Sequence, residues 1–312
     1  MSPPDRPPRL PGLDALRGVA LLAMVAYHAA WDLSFLGLIA TDVAADPAWR
    51  LVAQSVAAAF LLIAGISLAL ASRAGTELKR MLRRVVVIAA AAAAVSAATY
   101  AVLPGQGVYF GILHCIALAS LIGIALRRAP AWLLLGLAGL ALVLPHFAAG
   151  PGFDAPAWYW LGLSTTVPPA PDYVPLLPWC AAVLCGMAIG RVLPSPRPPG
   201  APPGVAVRLL AAAGRRSLAI YLLHQPILLG VLLAAMPLIG SWRQPPAWDW
   251  AAAWRAGCIG AGRASSDCES ELACLVKTLA AEGRGGEGTA TTATLEPAEA
   301  ALRCRPSPSA RP

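Results

Sequence analysis

Seven apolar stretches, near residues 12–40, 49–72, 82–103, 108–126, 131–148, 174–193 and 217–240, run through this sequence of 312 residues. Each approaches the length of about 20 residues that an α-helix needs to cross the hydrocarbon of a bilayer. A chain in lipid must also satisfy its backbone N–H and C=O groups internally, which continuous helices do. The predicted fold is therefore all-α: a polytopic transmembrane helix bundle of about seven spans, followed by a short cysteine-containing tail. Residues 1–240 form the membrane domain and 241–312 the tail. Composition agrees, since 13% of residues are charged, against about 25% in a soluble domain.

A net charge of +8 would ordinarily raise nucleic acid as a partner. Here the basic residues sit in short clusters between apolar stretches rather than on one soluble face, which excludes that class and points to membrane topology. Arg6 and Arg9 precede the first span. Arg73, Lys79, Arg80, Arg83 and Arg84 follow the second, Arg127 and Arg128 the fourth, and Arg191, Arg197, Arg208, Arg215 and Arg216 the sixth. The alternate connections carry Asp42, Asp46, Asp154 and Asp172, with Arg50 their only base. This alternation predicts a cytoplasmic N-terminus, a retained first span and an extracytoplasmic tail, periplasmic for a bacterial inner-membrane protein. An oxidising compartment would let Cys258, Cys268, Cys274 and Cys304 form disulfides in any of three pairings. Residues 283–312 are poor in large apolar side chains and read as flexible or disordered.

The first span is the exception to an otherwise apolar pattern. "LDALRGVALLAMVAYHAAWD" (13–32) carries Asp14, Arg17, His28 and Asp32. At ~100° per residue these four share one helix face, while Val19, Leu22, Ala26 and Leu33 lie opposite. Ionisable groups inside a span cost roughly 2.5–3.5 kcal/mol each on insertion scales, so they are functional candidates by default. Eleven residues of helix separate Arg17 from His28 by ~16 Å, close to the length of an extended pantetheine arm. An arginine at the mouth could grip phosphates as a planar fork while a histidine deeper in the membrane meets a thioester.

This span resembles the opening span of the membrane acyltransferase superfamily, and the chain is similar to bacterial relatives of the heparan-α-glucosaminide N-acetyltransferase catalytic domain. Further family-like segments are "FLLIAGISLALA" (60–71), "YFGILHCIALASLIG" (109–123), "DYVPLLPWCAAVLCGMAIGR" (172–191) and "GRRSLAIYLLHQPILLG" (214–230), in that order. The resemblance implies acetyl transfer from cytoplasmic acetyl-CoA, as co-substrate, to an extracytoplasmic acceptor, a glycan or amino sugar with a free amine or hydroxyl. It assigns His28 to the superfamily's histidine and Arg17 to its arginine.

Around that pair stand further candidates. His114 lies near the depth of His28 and is a second catalytic candidate. Asp14 and His224 join Arg17 as candidates for the CoA channel, and Asp32, Tyr109, Asp172 and Tyr173 for the acceptor. The histidines lie on separate spans or at different depths and the cysteines lack zinc-like spacing, so no metal site is expected. The partners expected are the lipid bilayer, the acceptor and, compatibly, further copies of the chain. Two other classes fit the same residues: a proton-coupled transporter using the Asp and His stripe as a relay, and a scaffold whose tail recruits a partner.

Overall fold

The structure, a computed structural model, describes residues 10–39, 41–102, 107–166, 172–194, 204–235, 258, 264–281 and 304. The described regular elements are all helical: α1 (Pro11–Phe35), α2 (Pro47–Arg73), α3 (Leu78–Val102), α4 (Ile112–Ala125), α5 (Ala131–Ala148), α6 (Leu176–Val192), α7 (Val205–Arg215), α8 (Ser217–Ala235) and α9 (Ser265–Ala281), with short 3-10 turns at Pro151–Phe153 and Pro156–Leu161. α1, α2, α3, α5 and α8 are long and apolar enough to cross a membrane, and α4 and α6 are shorter apolar helices. These seven match the seven apolar stretches. α7, between the last two of them, is a short amphipathic helix that no apolar stretch announces.

The chain divides into two compact units, Met1–Trp31 with Val43–Val231, and Asp32–Asp42 with Leu232–Pro312. In the first, α6 is central and packs on α2, α5 and α4, while α3 packs on α4. Leu61, Cys115, Leu134, Val183 and Met187 are fully buried at this centre. Two glycines let α2 and α6 touch backbone to backbone: a Cβ on Gly65 would stand 2.0 Å from the Val183 carbonyl oxygen, and one on Gly186 would stand 2.1 Å from that of Leu62. Lipid offers helices no hydrophobic reason to associate, so close small-residue contact of this kind supplies the packing. Outward faces remain apolar and exposed, as at Leu16, Val19 and Leu22 of α1 and Leu135, Leu142 and Phe147 of α5.

The fourth and sixth apolar stretches do not become full-length helices. α4 has 14 residues and α6 has 17, ~21 Å and ~26 Å against a hydrocarbon thickness of ~30 Å. The shortfall at α4 is filled by non-helical chain, which membrane depth permits only when protein satisfies its polar groups. Side chains do so here. Ser96 donates to the Val108 carbonyl at 2.7 Å and the Val108 N–H donates to the Thr99 hydroxyl at 3.0 Å. The Val174 N–H donates to the Phe110 carbonyl at 3.0 Å, tying the entries of α4 and α6 together.

The second unit contains two disulfides, Cys258–Cys268 and Cys274–Cys304, which selects one of the three pairings. Cys268, Leu272 and Leu275 form the buried face of α9. The expected disorder of 283–312 lies outside the described residues, Cys304 excepted.

Candidate active site

Helix α1 turns its polar stripe inward. Asp14 is buried, Arg17 and His28 are partly buried, and the opposite face, with Leu16, Val19 and Leu22, is exposed. One turn links the first two residues: Arg17 Nη1 donates to Asp14 Oδ1 at 2.8 Å. Its other terminal nitrogen donates to the Ser67 hydroxyl, which in turn donates to the Ile63 carbonyl at 2.6 Å. Asp14 is thus the partner that orients Arg17, and a carboxylate in that position would repel a phosphate rather than bind it.

Arg17 faces a cavity of about 370 Å³, within the ~300–1,000 Å³ of small-molecule sites. Three more arginines line it, Arg80, Arg83 and Arg84, together with Ser217 and Tyr221 and an apolar wall that includes Phe60, Ile63 and Leu113. Among the described residues no carboxylate pairs with Arg80, Arg83 or Arg84, and all three remain exposed. They come to one wall because α3 carries them at i, i+3 and i+4, followed by Val87 and Ile88 on the same stripe. Positive-inside topology alone accounts for their presence in the sequence. Their helical spacing was the signal that could have marked them as a binding face.

The lining of the cavity includes Ser217, Leu218 and Tyr221 of α8, the helix that also carries His224. The Tyr221 and His224 rings lie 5.8 Å apart, and the His28 and His224 rings lie 4.9 Å apart. The structure therefore joins His28 to His224, and it holds His114 by different partners. His114 Nδ1 accepts from the Gly111 N–H at 3.2 Å, and its Nε2 lies 3.4 Å from the Ser96 hydroxyl. An imidazole whose Nδ1 accepts must carry its proton on Nε2, so the two nitrogens of His114 are both engaged in holding the entry of α4.

Asp172 works at the same helix end. Its Oδ2 accepts from the Ile112 N–H at 3.1 Å and from the Tyr221 hydroxyl at 3.3 Å, capping a helix N-terminus from a distant part of the chain. Only glycine fits beside it, because a Cβ on Gly111 would stand 2.2 Å from that oxygen. Tyr109 is half exposed and packs edge-on against Tyr100 and Tyr159 at 5.7 and 6.1 Å. Tyr173 donates to the Tyr159 carbonyl at 2.8 Å, and burial raises its phenol above the ordinary value. Asp32 stands in the second unit and is buried.

The family model described as heparan-alpha-glucosaminide N-acetyltransferase, catalytic, matches residues 9–226. The chain belongs to that family. Membership makes it a membrane acetyltransferase, as the resemblance implied. The matched span starts just before α1 and ends two residues beyond His224, so it takes in the arginine cavity and both histidines and leaves out the disulfide-bonded tail. No curated protein and no solved structure gave a match.

Proposed function

We propose that the protein takes acetyl-CoA from the cytoplasm into the arginine-lined cavity and transfers the acetyl group to an amine or hydroxyl of a sugar on the other side of the membrane. The observation that carries this reading is the gathering of Arg17, Arg80, Arg83 and Arg84 on one cavity. Four cations, three of them without a carboxylate partner among the described residues, suit a ligand with several phosphate charges. The family's acetyl chemistry names acetyl-CoA among such ligands. The helical rise from Arg17 to His28, ~16 Å, suits a pantetheine arm running between phosphates and thioester. The alternating basic connections support a cytoplasmic face for this end and an inner-membrane setting.

His28 is the group we assign to the chemistry. As a neutral imidazole it takes the proton of the acceptor's O–H or N–H as that oxygen or nitrogen bonds the acetyl carbon. The C–S bond of the thioester breaks, and the departing thiolate recovers the proton. His114, with both nitrogens engaged, and Asp172, held on a helix N-terminus, keep the entry of α4 in shape. Tyr109, at an exposed aromatic edge, remains the better candidate for contact with a sugar ring.

The test is acetyl transfer by purified protein in lipid nanodiscs, followed with radiolabelled acetyl-CoA and an extract of amino sugars and surface glycans. Wild type should label an acceptor. His28→Ala should lose about 10²–10⁴ in turnover, the scale of a missing acid–base group, while still binding CoA. Full transfer by His28→Ala would reject the assignment and favour the proton-coupled transporter.

A further inference from the structure

His224 is nine-tenths buried on α8, and its two ring nitrogens are in unequal positions. Nδ1 lies 2.7 Å from the Tyr221 carbonyl oxygen. A carbonyl only accepts, so Nδ1 carries the proton and the Nε2 lone pair is bare. Nε2 is buried and has no hydrogen-bond partner among the described residues. A phenylalanine there would fill the space without burying an unused acceptor, which makes the histidine a poor choice for packing alone.

The neighbour in reach is His28, with its ring centroid 4.9 Å away and its plane inclined by 62°. An N–H···N bond of ~2.9 Å between two imidazoles, with ~1.2 Å from each nitrogen to its ring centre, sets the centroids ~5 Å apart. The rings therefore already stand at hydrogen-bonding separation. What remains is a turn of the His28 ring about χ2, a broad torsion for histidine. Among the described residues no hydrogen bond pins His28 otherwise.

We infer that His224 is a positioning residue for His28: its Nε2 accepts the proton-bearing nitrogen of the His28 ring and leaves the opposite nitrogen, with its lone pair, to face the thioester and acceptor. Tyr221 is part of the device, since its backbone carbonyl fixes the tautomer of His224 while its hydroxyl is anchored by Asp172. As His28 takes the acceptor's proton on one nitrogen, the other N–H stays bonded to His224, which spreads the positive charge until the proton passes to the departing thiolate. This role rests on His28 being the group that meets the thioester.

The full-length protein in nanodiscs, labelled with ¹⁵N-histidine, tests the pairing without relying on activity. The His28 signals are identified by their loss in His28→Ala. In wild type they should report one neutral tautomer; in His224→Phe they should report a mixture; in His224→Gln, whose carbonyl stands where Nε2 stood, the single tautomer should persist. Kinetics should follow the spectra. His224→Phe should lower kcat by about 10- to 100-fold, the scale for loss of a group that orients a reacting histidine, with KM for acetyl-CoA changed less than about twofold, because phosphate binding is untouched. His224→Gln should recover most of kcat. An unchanged His28 tautomer in His224→Phe, or a Gln variant as impaired as the Phe variant, overturns the proposal. If His28→Ala is inactive while His224→Phe keeps wild-type kcat, the positioning role fails alone. If His28→Ala stays active, the catalytic role of His28 fails and the positioning role falls with it, whatever the tautomers show.

Discussion

Replacing Arg17 should weaken CoA binding more than replacing any other cavity arginine, and the reason is Asp14. Arg84→Ala removes one charged hydrogen bond to phosphate, about 1.5–3 kcal/mol, or about 10- to 150-fold in affinity at 1.4 kcal/mol per decade. Arg17→Ala removes the same contact and also strips Asp14, 9% exposed and 2.8 Å from the guanidinium, of its counter-ion. A bare carboxylate about 8 Å from a phosphate charge, at an effective dielectric of about 20, repels it by ~2 kcal/mol. The two losses together come to about 3.5–5 kcal/mol, or about 300- to 4,000-fold. Asp14→Asn in the Arg17→Ala background should return the repulsive part, roughly 30-fold. Isothermal titration of CoA into wild type, Arg84→Ala, Arg17→Ala and the double variant gives all four numbers. Equal losses for Arg17→Ala and Arg84→Ala would show that Asp14 does not face the ligand. Unchanged affinity in both would remove the cavity as the phosphate site.

Gly186→Ala should lower thermal stability in detergent by about 1–3 kcal/mol, the cost of overpacking, because its new methyl meets the Leu62 carbonyl at 2.1 Å; an unshifted melting curve would contradict the close crossing of α2 and α6. Asp154 accepts hydrogen bonds from Thr165 and Ser164, which hold its carboxyl below the usual range. The folded pKa is depressed, so this contribution is complete above the unfolded value of about 3.9 and is lost as pH falls through the lower folded value. The Thr165 amide resonance should therefore titrate with a midpoint under about 3.9, and a midpoint at or above that would refute the assigned bonds. Alkylation of unfolded, unreduced protein should modify Cys115, Cys180 and Cys185 alone, since the other four cysteines are paired; labelling of all seven cysteines would dissolve the tail framework. Compartment reporters fused at Ser72 and Gly152 should score on opposite sides, with Ser72 cytoplasmic, and the same side for both would break the topology.

Continuous apolar runs made α1, α2, α3, α5 and α8 readable, because in lipid hydrophobic length and helix length are set by the same thickness. The same signal overstated α4 and α6. Val108 and Val174 are apolar and buried but lie in non-helical chain, so hydropathy continues where the helix has stopped, and only the Gly111 and Pro175 boundaries hint at the change. The Asp14, Arg17 and His28 stripe was legible from its 100° spacing. Arg80, Arg83 and Arg84 were read as topology, since one composition serves both an orientation signal and a ligand cradle. The pairing of His28 with His224 joins the first apolar helix of the chain to its last. No local spacing encodes such a contact, and it follows only from how α1 and α8 pack.

The shortness of α4 has an electrical consequence. Its first turn stops ~21 Å from its other end, which leaves roughly 10 Å of a ~30 Å barrier to be insulated by side chains in place of a continuous helix. A cavity entering from the arginine end narrows that barrier further, and a thin insulator under a membrane potential invites ions through. Ile112 and Leu113 line the cavity together with Phe60 and Ile63, and an apolar lining of this kind disfavours a continuous file of water. In the proposed reaction the acetyl group, small and uncharged, would pass such a lining by changing partners across it, while protons and salt would stay on their own sides.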